Sequence, residues 1–196
     1  MDRGVAIIRP PGHHATRNEA MGFCFFNNVA ISAIYARNRG KKVAIVDFDI
    51  HDGNGTCDII NGEPGIHFIS IHRYDNGRYY PGLETGAASN VGSNITNFTF
   101  NHARGTDEEY KNLFNDKVVP LLQNINPDII LVSAGFDAGL GDPLGNYRVT
   151  PNGFKMMVRM MKNVCSTIVL VLEGGYNLDT ISNSMAKCVE ELLEFE

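Results

Sequence analysis

Nine residues, DFDIHDGNG at 47–55, follow the apolar run KKVAIV. Side chains at alternate positions of an extended segment point the same way, so Asp47, Asp49 and His51 are expected to converge on one side of the chain as it leaves a sheet. Two carboxylates on one face repel each other unless a cation lies between them. Read singly, each residue would serve as well as a turn cap, because Asp favours turns; the three together predict a metal site. Asp137, in SAGFDAGLGDPLG, reads alone as a helix N-cap and beside that pair as a third ligand. His13 and His14 follow Pro10-Pro11-Gly12, a rigid turn that fixes their direction, and adjacent imidazoles near a metal suit acid–base work. Tyr176 follows Gly174-Gly175, which let the backbone come close and aim a phenol at a ligand.

Such residues need a frame. Apolar runs at 5–10, 42–48, 65–72, 128–135 and 167–175, with a weaker one at 95–100, read as strands, most of them apolar on both faces. That is the pattern of parallel strands covered by helices on two sides. Helical patterns fall at 24–38, 106–124 (Thr106 with Glu109 forming a capping box), 150–163 and 179–194. The alternation predicts an α/β fold: a single, mostly parallel sheet flanked by helices. Ligands bind beyond the carboxyl ends of the strands in such sheets. Here those ends carry RPPGHHA, DFDIHDGNG, SIHRYDNGRYYPG, SAGFDAGLGDPLG and LEGGYN. Met156, Met157, Met160 and Met161 have helical spacing and read as core filler.

Composition bounds the partners. At 196 residues, 43% apolar and a net charge of −5, the chain suits one ordinary globular core and not a basic nucleic-acid binder. No apolar run is long enough to span a bilayer and no charged-then-apolar leader is visible, so an intracellular setting is expected, nucleus or cytoplasm undecided. Cys24, Cys57, Cys165 and Cys188 lie far apart with no CxxC spacing, against both a disulfide framework and a zinc finger.

In order, RPPGHHA, GFCFFNN, DFDIHDGNGT, SAGFDAGLGDPLG and LEGGYN resemble the zinc-dependent histone deacetylase family, within the arginase/deacetylase-like fold and nearest its class II branch. The resemblance implies hydrolysis of N6-acetyl-lysine in histones or other proteins. It implies zinc bound by Asp49, His51 and Asp137, protons handled by His13 and His14, and the carbonyl oxygen held by Tyr176. It further implies that Asp47 orients His13 and that Asn54, placed where some family members have aspartate, orients His14 without adding charge. Phe23 and Tyr80 are expected to flank the lysine methylenes, with Gly22 in the wall. Leu144 occupies a rim position where acetylpolyamine-specific members are expected to carry an acidic residue, which favours acetyl-lysine in a protein. Asp47, with the backbone around His51 and Ser70, is expected to hold a potassium ion. Asp52, where many relatives have histidine, is expected to face away from the metal. Hydroxamate-type inhibitors, self-association or a corepressor complex follow as expected partners, with no nucleic acid and no membrane. The family core is longer at its amino end, so the chain reads as one N-terminally truncated catalytic domain over 1–196. The rival readings are an acetylpolyamine amidohydrolase, a binuclear manganese ureohydrolase and a catalytically silent acyl-lysine-binding or scaffold module.

Overall fold

A computed structural model describes residues 2–88 and 92–194. Six strands form one sheet: β1 (Arg3–Ala6), β2 (Val43–Asp47), β3 (Ile66–Arg73), β4 (Ile95–Phe100), β5 (Ile129–Ala134) and β6 (Ile168–Leu172). Their order is β1-β6-β5-β2-β3-β4, and every pairing is parallel. The helices are α1 (Asn28–Arg37), α2 (Asn54–Ile60), α3 (Asp107–Leu113), α4 (Val119–Ile125), α5 (Pro151–Lys162) and α6 (Leu178–Leu193).

The pleat of β2 divides the core. Val43 and Ile45 pack with Val29, Ala30, Ala33, Ile60, Ile66 and Phe68 on one face of the sheet. Ala44 and Val46 pack with Phe48, Tyr110, Phe114, Phe136, Phe154, Met157 and Met161 on the other. A strand buried on both faces must be apolar throughout, and every residue of β2 is buried. Met156 and Met160 pack against the second cluster, so the methionines of α5 are core as expected. All four cysteines are free and buried. No helix among the described residues is long and apolar enough to cross a membrane.

Several elements depart from the sequence pattern; the helix expected at 24–38, for one, starts only at Asn28, after the Asn27 cap. The first strand was expected at 5–10, but its ladder with β6 runs only from Arg3 to Ala6. Pro10 and Pro11 have no N–H to donate, and Ile7 stands 72% exposed. The helix expected at 106–124 begins with its capping box, the Thr106 N–H donating to Glu109 Oε2 at 2.9 Å. It then passes through a π-helical segment, Phe114–Val118, before α4. Pro120 removes one N–H just beyond that slip, where α-helical register would require a donor. The helix α2 was not expected at all. Its sequence NGTCDII starts with two weak helix formers, and six of its seven residues are buried, so it shows no amphipathic stripe.

Candidate active site

The chain leaves β2 at Asp47 and turns back on itself through side-chain acceptance. Asp47 Oδ1 accepts the Asp49 N–H at 3.0 Å, and Asp49 Oδ1 accepts the His51 N–H at 2.9 Å. His51 Nδ1 then lies 3.0 Å from both Asp49 Oδ1 and Asp137 Oδ2. Ligand atoms of Asp49, His51 and Asp137 fall within 4.8 Å of one another. Asp137 comes from the loop after β5, and its Oδ1 accepts the Ile50 N–H at 2.9 Å. Gly174, just after β6, donates its N–H to Asp49 Oδ2 at 2.8 Å.

Whether these residues fit a metal can be judged from the cradle and from charge. A Cβ at Gly174 would strike the carboxylates of both Asp49 and Asp137, and one at Gly135 would strike Asp49, so the backbone is pressed against the ligand oxygens. Asp49 and Asp137 are fully buried. Burial pushes the Asp137 carboxyl up to about 6 and the Asp49 charge pushes it the same way, with His51 opposing. His51 pays the desolvation of its cation but is raised to about 10 by Asp137 and then Asp49. A proton on His51 thus does what a cation would do between two buried carboxylates. One imidazole nitrogen with two carboxylates suits Zn²⁺ and leaves a coordination position open.

Across from this set stand the two histidines. His13 Nδ1 lies 3.0 Å from Asp47 Oδ2, and His14 Nδ1 lies 2.8 Å from Asn54 Oδ1. Burial disfavours the His13 cation, yet Asp49 and Asp47 outweigh it and hold it well above its usual range. Burial and the neighbouring His13 charge bring His14 down to about 3. The Asn54 Nδ2 donates to Met21 Sδ at 3.4 Å, so its oxygen is the atom left to accept from His14. That fixes the proton on Nδ1 and leaves Nε2 as the lone-pair nitrogen. Asp52 turns away from the metal set toward Gly86 and His72, as expected, and its two oxygens are buried with no hydrogen-bond partner among the described residues.

The opening above is a cavity of about 600 Å³ lined by His14, Gly22, Phe23, His51, Tyr79, Tyr80, Leu144 and Tyr176. Gly22 is at φ +56, and a Cβ there would enter the His14 ring. Phe23 meets the Tyr176 ring edge-on at 6.1 Å, and Tyr80 meets His14 edge-on at 5.1 Å. Burial, followed by the Asp49 and Asp137 charges, raises the Tyr176 phenol, which therefore keeps its proton. All twelve residues singled out from the sequence are gathered within this cavity or directly behind it.

Three contributors were missed. Tyr79 stacks on His51 at 5.2 Å and 11°, with the Arg73 guanidinium 4.5 Å from its ring centroid and its hydroxyl donating to the Leu144 carbonyl at 3.0 Å. Glu173 Oε2 accepts the N–H groups of Gly12 and His13 at 2.6 and 3.0 Å and so sets the histidine turn. Asp142 accepts from the rim backbone at Leu144 and Gly145. The signal for Glu173 was a lone acid directly ending a fully apolar run.

The chain matches the histone deacetylase domain family over residues 1–192. It is 44% identical to Histone deacetylase 5 of Arabidopsis thaliana over 99% of its own length and 31% of that protein's. It is 44% identical to Histone deacetylase 6 of Caenorhabditis elegans over 97% of its length and 21% of that protein's. Among solved structures, the HDA15 HD domain superposes with a TM-score of 0.94 at 43% identity, over 97% of this chain and 55% of that one. The chain thus spans a third or less of these curated relatives. Sequence match, shared fold and a metal-competent site at the strand ends agree, and the chain belongs to the histone deacetylase family.

Proposed function

We propose that this protein is a zinc-dependent amidohydrolase that removes acetyl groups from lysine side chains of proteins. The observation that carries the reading is the Asp49, His51 and Asp137 set facing a lone-pair imidazole, His14, across the floor of one largely apolar cavity. A Zn²⁺ held by His51 Nδ1 and the two carboxylates would supply Lewis acidity to the acetamide oxygen and acidify a water beside it.

The chain's own groups carry the remaining steps. His14 accepts the proton of the attacking water at Nε2, a role that requires the neutral imidazole its environment enforces. Asp47 holds the orientation of His13, whose Nε2 lies 3.7 Å from Asp49 Oδ2 beside the reacting centre. The Tyr176 phenol, kept protonated, donates to the oxyanion as the carbonyl becomes tetrahedral. Phe23 and Tyr80 flank the lysine methylenes and exclude water, and Gly22 leaves room for His14. Leu144, 47% exposed at the rim, offers nothing to a second ammonium group, which supports a protein lysine over an acetylpolyamine. Asp47, with the backbone around His51 and buried Ser70, is proposed to hold potassium; water alone there in a structure grown in potassium would remove that ion.

The test combines metal analysis with turnover of a fluorogenic acetyl-lysine peptide and of an acetylated polyamine. One zinc per chain and chelator-sensitive turnover of the peptide are expected. Stoichiometric zinc without turnover of either substrate would favour a silent acyl-lysine-binding module, and preference for the polyamine would overturn the protein-lysine reading.

A further inference from the structure

The peptide unit that joins Gly175 to Tyr176, three residues beyond the end of β6, is held at both ends. The carbonyl oxygen of Gly175 accepts from Arg9 Nη2 at 2.8 Å, and the N–H on the other side of the same unit, that of Tyr176, donates to Asp142 Oδ2 at 2.7 Å. A cation on the oxygen and an anion on the N–H oppose any rotation of the plane, and charge-assisted bonds are about twice as strong as neutral ones. The plane needs such a hold because Gly175, at φ +120, has more backbone freedom than any other residue type. Asp142 is 7% exposed, and its other oxygen accepts the Leu144 and Gly145 N–H groups at 2.9 and 3.2 Å. Arg9 reaches the clamp from the turn that precedes His13, its guanidinium 5.9 Å from the Tyr176 ring centroid.

We propose that Asp142 and Arg9 are positioning residues for Tyr176, gripping the Gly175–Tyr176 peptide from opposite sides so that the phenol is already aimed when the oxyanion forms. The inference rests on Tyr176 being the oxyanion donor. It extends that reading to two residues that touch neither metal nor substrate, and through Asp142 it links the donor to the Leu144 rim.

The test is a mutant cycle. An asparagine at 142 has one acceptor oxygen where the carboxylate serves three N–H groups. Its oxygen best serves Leu144 and Gly145, leaving its NH₂ against the Tyr176 N–H. Asp142→Asn should lower kcat about tenfold and Arg9→Gln about threefold, with KM and zinc content unchanged. In a Tyr176→Phe background both effects should vanish, because there is no hydroxyl left to aim. Equal losses in both backgrounds, or wild-type kcat in Asp142→Asn, would overturn the proposal. Should Asp142→Asn fold poorly, Arg9→Gln, at an exposed position, carries the cycle alone. Amide hydrogen exchange reads the clamp without any turnover: exchange of the Tyr176 N–H should be at least about tenfold faster in Asp142→Asn, and no change overturns the clamp. If Tyr176→Phe itself turns over at the wild-type rate, the donor role fails, and exchange still decides whether the clamp exists.

Discussion

The most consequential single atom is His14 Nε2, because burial and the neighbouring His13 charge outweigh the pull of Asp49 and keep a proton off it. Burial and the His13 charge take this residue from the usual 6.5 to about 3. The unfolded chain therefore binds a proton here between pH 6.5 and 3 that the folded chain refuses, and stability falls as pH drops through that window. Metal-free wild type should lose more thermal stability between pH 7 and 5 than metal-free His14→Gln; equal losses would show that His14 is not held neutral. The Nδ1–H tautomer imposed by Asn54 is the minor form of histidine in water, and ¹⁵N spectra should find it resident. Tyr176→Phe should leave fold and zinc intact while kcat falls about a hundredfold, with hydroxamate affinity reduced far less. Asp137→Ala should abolish stoichiometric zinc, as measured by metal analysis of the purified variant. These residues were legible because their types are costly to bury without partners, so their positions at the ends of apolar runs demanded a reason. Tyr79 was not legible: both adjacent tyrosines line the cavity, and nothing in RYDNGRYYPG says which of them stacks on His51 and which meets His14 edge-on.

At the scale of elements, the exit of β6 does the most positioning with the fewest side chains. Glu173 fixes the histidine turn, Gly174 backs the two candidate metal-binding carboxylates, and Gly175 sets the direction of Tyr176. Gly174→Ala should therefore cost at least about tenfold in zinc affinity, the size seen when groups supporting metal ligands are lost, although no ligand is changed. Unaltered zinc binding in a folded Gly174→Ala protein would mean that the ligands can retreat. Strands were easier to read than helices here. Parallel strands announce themselves by burial on both faces, as in β2, whereas α2 is short, begins with Asn54-Gly55 and is held by its surroundings and not by its own propensity. The π-helical slip before Pro120 and the early end of β1 are likewise effects of hydrogen-bond bookkeeping that hydropathy does not register.

Over the whole molecule, the proposed zinc set of two buried carboxylates and one imidazole would couple metal binding to folding. Removing zinc with a chelator should lower the melting temperature, and titrating zinc back should restore it in step with occupancy, because a ligand that binds only the native state stabilises it by mass action. Parallel pairing throughout also gathers the candidate site beyond the carboxyl ends of the strands, leaving their amino ends with connections alone. The turn at Asn38–Lys41 is one of these; it is exposed, and a Cβ on Gly40 would meet nothing within 4 Å. Chain added there has nowhere to touch the chemistry. A short Gly-Ser insertion between Arg39 and Gly40 should leave zinc content and turnover as they were, making this end of the sheet the place where the protein can be lengthened, tagged or joined to another domain.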